Sequence, residues 1–221
     1  MPIKLWEATE DQKNKSNLFK YENFLHKRYK IKFNKNYSKL HDWSIKNPEK
    51  FWNSIWDFSK VKGKKNEKFY KSKELFKNRF FINSKLNFAE NLLSKKDNSK
   101  AITFINENGY KEIRKWNELN LNVGKISFYL KKINIKEKDR VAAYLPNLIE
   151  TVESFLATVS IGAIWSSCSP DFGVNGVIER FAQIKPKVLI LCDRYYYNGK
   201  QINVIDRLKP ILKKIKSIKT V

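Results

Sequence analysis

Cysteine and histidine are scarce in this 221-residue sequence, which contains two of each. The cysteines, Cys168 and Cys192, are too few for a disulfide framework, and we predict that both are small buried apolar side chains in strands. The histidines, His26 and His41, have no cysteine nearby, so no zinc site is expected. The sequence therefore predicts no metal ligand.

Long apolar runs and the common nucleotide-binding and catalytic motifs are also missing. No stretch approaches the roughly 18 apolar residues of a membrane helix, and no secretory signal is visible, so we predict a cytoplasmic protein without a membrane span. Dinucleotide-binding glycines, a Walker-type phosphate loop and a nucleophile elbow are absent. Because no histidine lies near the serines of residues 166–169, no residue is predicted to be catalytic.

Acidic residues are few, with 22 Asp and Glu against 45 Lys and Arg, and the formal net charge is +23. The lysines are scattered, and their densest groups, "KVKGKKNEK" and "LKKIKSIK", are short. We interpret this charge as a solvated surface, and nucleic acid is not predicted as a partner. A basic surface would also favour a polyanionic small molecule such as a nucleotide or coenzyme A.

The first ninety-odd residues are aromatic, strongly charged and helical in pattern. In "NPEKFWNSIWDFSKV", Asn47 is a suitable N-cap, Pro48 suits the first helical position, and one apolar face follows. The segment "KLNFAENLL" predicts a short helix with Leu86 and Leu92 among its inward residues. These segments predict an N-terminal helical extension.

Strands and helices alternate after residue 100. A hairpin with its turn at residues 107–109 leads into a helix from Trp116, and a helix capped by Asn147 follows the third strand. The last helix, residues 202–216, contains Pro210 and requires a kink or break there. Strands are predicted at residues 100–106, 110–116, 140–145, 163–169 and 187–193. Such alternation predicts an α/β fold with a partial parallel sheet flanked by helices.

Small residues, "SSCSPDFG" at 166–173, fill the connection between the fourth strand and the next helix. Ligands gather at the carboxyl ends of parallel strands, where small residues let the backbone approach them closely. A tight structural turn explains the same residues, so both interpretations stay open at this point.

Several separate stretches resemble one family in their order along the chain. "NPEKFWNSIWDF" and "KLNFAENLL" resemble the N-terminal extension of acetate-type acyl-coenzyme A synthetases, and "DRVAAYLPN" to "ESFLATVSIGAIW" resembles the first α/β unit of their large domain. Residues 166–193 with "YNGK" at 197–200 resemble the acetoacetate-activating members most closely. The family is that of the acyl-adenylate-forming ligases. The resemblance implies an extension at residues 1–98 and an incomplete first α/β subdomain of the AMP-dependent ligase domain at residues 99–221.

The resemblance also implies where a cofactor is held. The turn at residues 166–173 would border the coenzyme A nucleotide, and Lys200 lies near the position where related synthetases place a basic residue against a coenzyme A phosphate. Arg180, Tyr197, Asn198 and Gly199 complete the implied cofactor-binding set. A surface or helix-pairing role explains Arg180 equally well, and a plain turn explains the residues that precede Lys200.

The implied activity joins acetoacetate to coenzyme A by way of an acyl-adenylate formed from ATP, with Mg²⁺ offsetting phosphate charge. The family's Ser/Thr/Gly-rich phosphate loop and its adenylation lysine are not found, so we interpret the chain as the N-terminal part of a longer synthetase, inactive alone. The alternatives are an acetate- or propionate-type synthetase and a non-enzymatic basic binding module. No oligomeric state is predicted.

Overall fold

Contacts between residues divide the chain into two compact units, Met1–Leu86 and Asn87–Val221. The structure, a computed structural model, describes residues 5–69, 72 and 74–221. The first unit has a short 3-10 turn at Leu75–Lys77 and the helices α1 (Glu10–Lys15), α2 (Asn17–Tyr29), α3 (Tyr37–Lys46) and α4 (Pro48–Phe58). The predicted domain boundary at residue 98 stays a prediction.

An aromatic core holds helices α2, α3 and α4 of the first unit together. The hydroxyl groups of Tyr21 on α2 and Ser54 on α4 lie 2.6 Å apart and form a buried hydrogen bond. Helix α4 begins at Pro48, as predicted, but the Asn47 side chain does not cap it. The Asn47 amide instead donates to the carbonyl of Trp43, at 3.1 Å, near the end of α3. The buried core residues are Tyr21, Leu25, Phe33 and Leu40.

The second unit contains a parallel sheet and two antiparallel hairpins. Its helices are α5 (Phe88–Leu92), α6 (Trp116–Lys132), α7 (Ile149–Ser160), α8 (Val174–Ile184) and α9 (Leu208–Lys214), with a 3-10 turn at Ile205–Arg207. Its strands are β1 (Lys100–Ile105), β2 (Lys111–Lys115), β3 (Arg140–Tyr144), β4 (Ile164–Cys168), β5 (Val188–Leu191), β6 (Arg194–Tyr197) and β7 (Lys200–Asn203).

The sheet has the order β4-β3-β5, with both pairs parallel. Helices cover both faces of the sheet. Successive residues of a strand point to opposite faces, so neighbouring residues pack against different helices. Val141 and Val188 belong to the core cluster that includes residues of α6 and α7. Ala142 and Leu189 belong to the cluster that includes residues of α8 and α9. The predicted α/β class and the parallel arrangement of these strands are confirmed.

The predicted helix over residues 202–216 is wrong in its first part. Strand β7 extends to Asn203 and pairs with β6, and the α-helix begins only at Leu208. Pro210 is then the third residue of α9. The first backbone N–H groups of a helix have no partner within the helix, so a proline here removes no helical hydrogen bond and requires no kink.

Two smaller predictions are also corrected. Leu148, not Asn147, is the N-cap residue of α7, and it makes no side-chain cap bond. On α5 only Ala89 is buried, whereas Leu92 is 42% exposed, and Leu86, which precedes the helix, is 55% exposed. A helix as short as α5 buries one narrow stripe, so the apolar residues outside it remain in water. No helix in the described part of the chain is long and apolar enough to cross a membrane.

Candidate functional site

The carboxyl ends of the three parallel strands form one edge of the sheet. Tyr144, the last residue of β3, is paired in register with Cys168 of β4 and Leu191 of β5. The segments that follow these strands therefore begin side by side. Because ligands of open α/β sheets bind at this edge, it is the candidate site. The edge segment at residues 169–173 corresponds to the small-residue turn identified in the sequence.

Tyr144 and Arg207 hold that turn through its main-chain carbonyl groups. The fully buried Tyr144 side chain places its hydroxyl oxygen 2.5 Å from the Phe172 carbonyl oxygen and 3.0 Å from that of Pro170. Arg207 Nη1 lies 2.6 Å from both the Tyr144 hydroxyl oxygen and the Pro170 carbonyl oxygen. A hydroxyl has one proton, so the Tyr144 hydroxyl accepts from Arg207 and donates to the Phe172 carbonyl. Arg207 also donates to the Pro170 carbonyl.

Asp171 connects the same turn to strand β6. Its carboxylate accepts hydrogen bonds from the Ser169 hydroxyl at 2.7 Å and from the Tyr195 hydroxyl at 2.9 Å. Burial, together with the hydrogen bond to this carboxylate, raises the pKa of Tyr195 to about 12. Tyr195 thus remains a neutral donor at physiological pH, and the turn and β6 form a single bonded assembly.

Arg180, predicted to bind cofactor, lies beside this turn. Its guanidinium carbon is 4.0 Å from the centre of the Phe172 ring, within the range of a cation–π contact, and Nη1 donates to the Gly176 carbonyl at 3.4 Å. The side chain is exposed. Burial raises the pKa of the Cys168 thiol, and the charge of Arg180 partly opposes that shift. Arg180 is therefore a fixed positive charge at the edge of the sheet.

The four other predicted residues form the tip of the β6–β7 hairpin. Tyr197 and Lys200 pair at the end of the ladder, and Asn198 and Gly199 between them have φ values of 51° and 71°. Positive φ at both positions is typical of a two-residue type I′ turn, for which Asn-Gly is the preferred sequence. The plain-turn interpretation of these residues therefore describes their backbone conformation, and Tyr197 and Lys200 are exposed.

The backbone donors of this tip are already occupied. The N–H groups of Asn198 and Gly199 donate to the two carboxylate oxygens of Glu107, each at 2.9 Å. Glu107 lies in the β1–β2 turn, which the sequence correctly located. A ligand phosphate at the tip would therefore meet the side chains of Tyr197 and Lys200 while Glu107 keeps the backbone amides.

A cleft of about 400 Å³ lies between the two hairpins and the loop that follows β3. Its lining includes Phe104, Asn106, Glu107, Pro146, Arg194 and Tyr196. Within residues 5–69, 72 and 74–221, no group of three or more His, Cys, Asp or Glu side chains is placed to hold a metal ion. Acidic residues in the described chain thus do not provide a magnesium site of this kind.

Both cysteines are free thiols. Cys168 is buried at the end of β4, whereas Cys192 is half-buried and follows β5, just outside the strand that was expected to include it. Burial raises the pKa of each thiol.

Sequence reasoning missed several residues that organise this edge. Tyr144 was included only in a buried strand, and neither Glu107 nor Arg207 was assigned a role. Their partners lie far away along the chain, 63 residues for Tyr144 and Arg207 and 91 for Glu107 and Asn198. No local pattern in the sequence marked these contacts, because each one joins segments that are distant along the chain.

Comparison with known proteins identifies the family. Residues 91–221 match the model of the AMP-binding enzyme family. The chain belongs to the AMP-binding enzyme family. Residues 37–92 match the family described as acetyl-coenzyme A synthetase N-terminus. The predicted resemblance to acyl-adenylate-forming ligases is confirmed.

Two relatives of this AMP-binding chain share one name. It is 43% identical over 180 residues to acetoacetyl-coenzyme A synthetase of Rhizobium meliloti (strain 1021), which covers 81% of this chain and 28% of the relative. It is 42% identical over 191 residues to acetoacetyl-CoA synthetase of Xenopus tropicalis, with 84% and 28% covered. The chain thus spans just over a quarter of the length of these curated relatives.

A solved structure supports the same relation. Acetoacetyl-CoA synthetase from Streptomyces lividans is similar to this chain with a TM-score of 0.89 and 25% sequence identity. The similarity covers 99% of this chain and 34% of that one. The helical extension and the partial parallel sheet therefore match the corresponding part of an acyl-adenylate-forming ligase.

Proposed function

We propose that this AMP-binding chain is part of an acetoacetate–coenzyme A ligase and forms part of the surface that binds coenzyme A. The 43% sequence identity over 180 residues to an acetoacetyl-coenzyme A synthetase is the observation that supports this most directly. The turn at residues 166–173, which resembles that of the acetoacetate-activating members, follows β4 at the edge where open α/β sheets bind ligands, and this supports the proposal. We expect the protein to be cytoplasmic and its partners to be small molecules.

The proposed reaction has two steps. A carboxylate oxygen of acetoacetate attacks the α-phosphorus of ATP and pyrophosphate leaves. The coenzyme A thiol then attacks the acyl carbon, and AMP leaves as the thioester forms. Mg²⁺ commonly accompanies ATP and offsets its charge, but the described residues show no cluster of three ligands for it, so no step is assigned to it here.

The proposed contribution of this chain is electrostatic. Lys200 would act as a point charge toward a coenzyme A phosphate, and Arg180, stacked on Phe172, would add a second positive charge at the edge. Tyr197 flanks Lys200 in the hairpin ladder and offers an exposed ring and hydroxyl. Asn198 and Gly199 would contribute by shaping the turn, because Glu107 holds their amides.

A binding experiment tests the coenzyme A assignment. Adenosine 3′,5′-bisphosphate, which resembles the nucleotide end of coenzyme A, is titrated into the 221-residue chain by calorimetry or NMR. Because Lys200 is exposed and water screens its charge, Lys200→Ala should weaken binding by about threefold to tenfold. The matched control is Lys125→Ala, an exposed lysine on α6, which should leave binding unchanged. Equal losses in both variants would reject a specific role for Lys200.

The acid substrate requires a second experiment. The chain is joined to the residues that follow the matched region in the Rhizobium meliloti relative, and adenylate formation is measured with acetoacetate, acetate and propionate. Preference for acetoacetate supports the proposal, whereas preference for acetate or propionate indicates another short-chain synthetase. Steeply salt-dependent binding of DNA or RNA by the chain, without binding of the bisphosphate, would instead favour a basic binding module.

A further inference from the structure

Glu107 bonds two backbone amides that lie more than ninety residues further along the chain. One carboxylate oxygen accepts from Gly199 and the other from Asn198, and both distances are 2.9 Å. A carboxylate that accepts two backbone N–H groups makes charge-assisted hydrogen bonds, which are stronger than neutral ones. Glu107 is therefore a specific attachment between the β1–β2 turn and the β6–β7 tip.

The β1–β2 turn is built to hold Glu107 in place. The Asn106 side-chain oxygen accepts the backbone N–H groups of Asn108 at 3.0 Å and Tyr110 at 2.9 Å. Gly109 has a φ of 79°, a conformation that glycine adopts without strain, and its N–H donates to the Asn106 carbonyl at 3.1 Å. The Glu107 carboxylate thus extends from a turn that is held by its own internal hydrogen bonds.

The β6–β7 hairpin, by contrast, is short. Each strand has four residues and the pair forms a separate two-stranded sheet. An isolated two-stranded hairpin is marginally stable in water, so its tip depends on contacts outside the ladder. Tyr195 supplies one such contact, to Asp171, and Glu107 supplies the contact at the tip itself.

We propose that Glu107 is a positioning residue, which fixes the Tyr197–Lys200 tip so that Lys200 presents its ammonium group to a bound phosphate. This inference rests on the proposed function, because it concerns the same ligand. Glu107 itself does not touch the phosphate. Its effect is to reduce the number of conformations that the tip must lose when an anion binds.

Charge and positioning predict opposite results, which makes the inference testable. Removing a negative charge near a phosphate site would, by electrostatics alone, strengthen anion binding. Loss of positioning would weaken it. Moreover, Glu107→Ala and Glu107→Gln remove the same charge, but glutamine keeps one acceptor oxygen at the same length. The difference between these two variants therefore isolates the hydrogen bonds.

The experiment uses NMR on the 221-residue chain, with Glu90→Gln, an exposed carboxylate on α5, as the control. Amide hydrogen exchange of Asn198 and Gly199 is measured first, without ligand. Adenosine 3′,5′-bisphosphate is then titrated into each protein. We expect exchange at both amides to accelerate at least about tenfold in Glu107→Ala and less in Glu107→Gln, since a bonded amide exchanges only on opening. Affinity should fall about threefold to tenfold in the alanine variant and less in the glutamine variant.

The outcomes separate this inference from the proposed function. If the wild-type chain does not bind the bisphosphate, the proposed function fails together with the ligand part of the inference, and the exchange data alone judge the attachment. If the wild type binds and both variants bind more tightly, Glu107 competes with the ligand and positioning is overturned. If exchange and affinity in both variants equal those of the Glu90 control, Glu107 has no such role.

Discussion

Removal of the Tyr144 hydroxyl should destabilise the second unit and loosen the turn at residues 169–173. In Tyr144→Phe the aromatic ring keeps its buried position, so the change is confined to the hydroxyl and its partners. The Phe172 carbonyl loses its donor at 2.5 Å, and Arg207 Nη1 loses an acceptor at 2.6 Å. The bond from Arg207 to Pro170 remains available.

The size of the effect follows from these bonds. A neutral hydrogen bond contributes about 0.5–1.5 kcal/mol, and a bond to a charged group about 1.5–3 kcal/mol when buried. Arg207 is only half-buried, so the charged bond should lie at or below the lower end of that range. Arg207 Nη1 is also 3.5 Å from the Phe172 carbonyl and can move to replace part of the loss. We therefore expect a loss of about 2 kcal/mol in the free energy of unfolding.

A double-mutant cycle measures the interaction directly. Tyr144→Phe, Arg207→Met and the double variant are unfolded in urea, and the free energies are compared. Exchange of buried amides in β3 and β5 reports on the second unit separately from the first. The control is Tyr129→Phe on α6, where the side chain is 52% exposed and the same atom is removed. The coupling energy should be about 1–2 kcal/mol.

Two results would refute the reasoning. A loss below about 0.5 kcal/mol in Tyr144→Phe, equal to that of the Tyr129 control, would mean that the hydroxyl bonds contribute no net stability. A coupling energy near zero would mean that Tyr144 and Arg207 act independently, although their polar atoms are 2.6 Å apart. In that case the turn would be held by its own small-residue backbone.

Two pH-dependent predictions concern other side chains. Because the pKa of Tyr195 is raised to about 12 from 10, the folded state retains the proton, so this contribution to stability is complete below pH 10 and is lost as pH rises through 12. Tyr195→Phe should therefore lose less stability across that interval in urea unfolding, and a slope equal to wild type would contradict this. The hydrogen bond from Lys187 lowers the pKa of Asp139, so its contribution is present above the ordinary aspartate pKa and is lost as pH falls through the lowered value. Lys187→Ala should lower the free energy of unfolding at pH 7 by up to about 1 kcal/mol, and a difference that persists in strong acid would refute the assignment.

Local patterns in the sequence determined most of the architecture. The apolar periodicity of residues 48–58 and the start at Pro48 predicted α4, and the uncharged run at residues 141–145 lies in the segment predicted to be the third strand. Alternation of strands and helices predicted parallel pairing, because each connecting helix returns the chain to the end of the sheet at which the previous strand began. The resemblance to acyl-adenylate-forming ligases was likewise present in contiguous motifs, which the comparisons confirmed.

Predictions failed where two adjacent local patterns competed. Residues 202–216 have apolar spacing compatible with a helix, yet residues 200–203 form β7 because β6 lies opposite and supplies ladder hydrogen bonds. Helical spacing in a short window does not include the energy of pairing with another strand. The exposed Leu86 and Leu92 show the same limit, since burial depends on what lies against a face.

The candidate site shows most clearly what only the tertiary structure decided. Residue types predicted a small-residue turn at residues 166–173, and the family resemblance implied a role for Tyr197, Asn198, Gly199 and Lys200. In the structure the turn at residues 169–173 is hydrogen-bonded to Tyr144 and Arg207, and the β6–β7 tip is hydrogen-bonded to Glu107. These hydrogen bonds join residues far apart in sequence, and each forms only after folding has brought its partners within about 3 Å. The hydrogen-bond partner of a side chain depends on how the folded backbone places distant segments, whereas the periodicity of apolar residues predicts only which residues are buried.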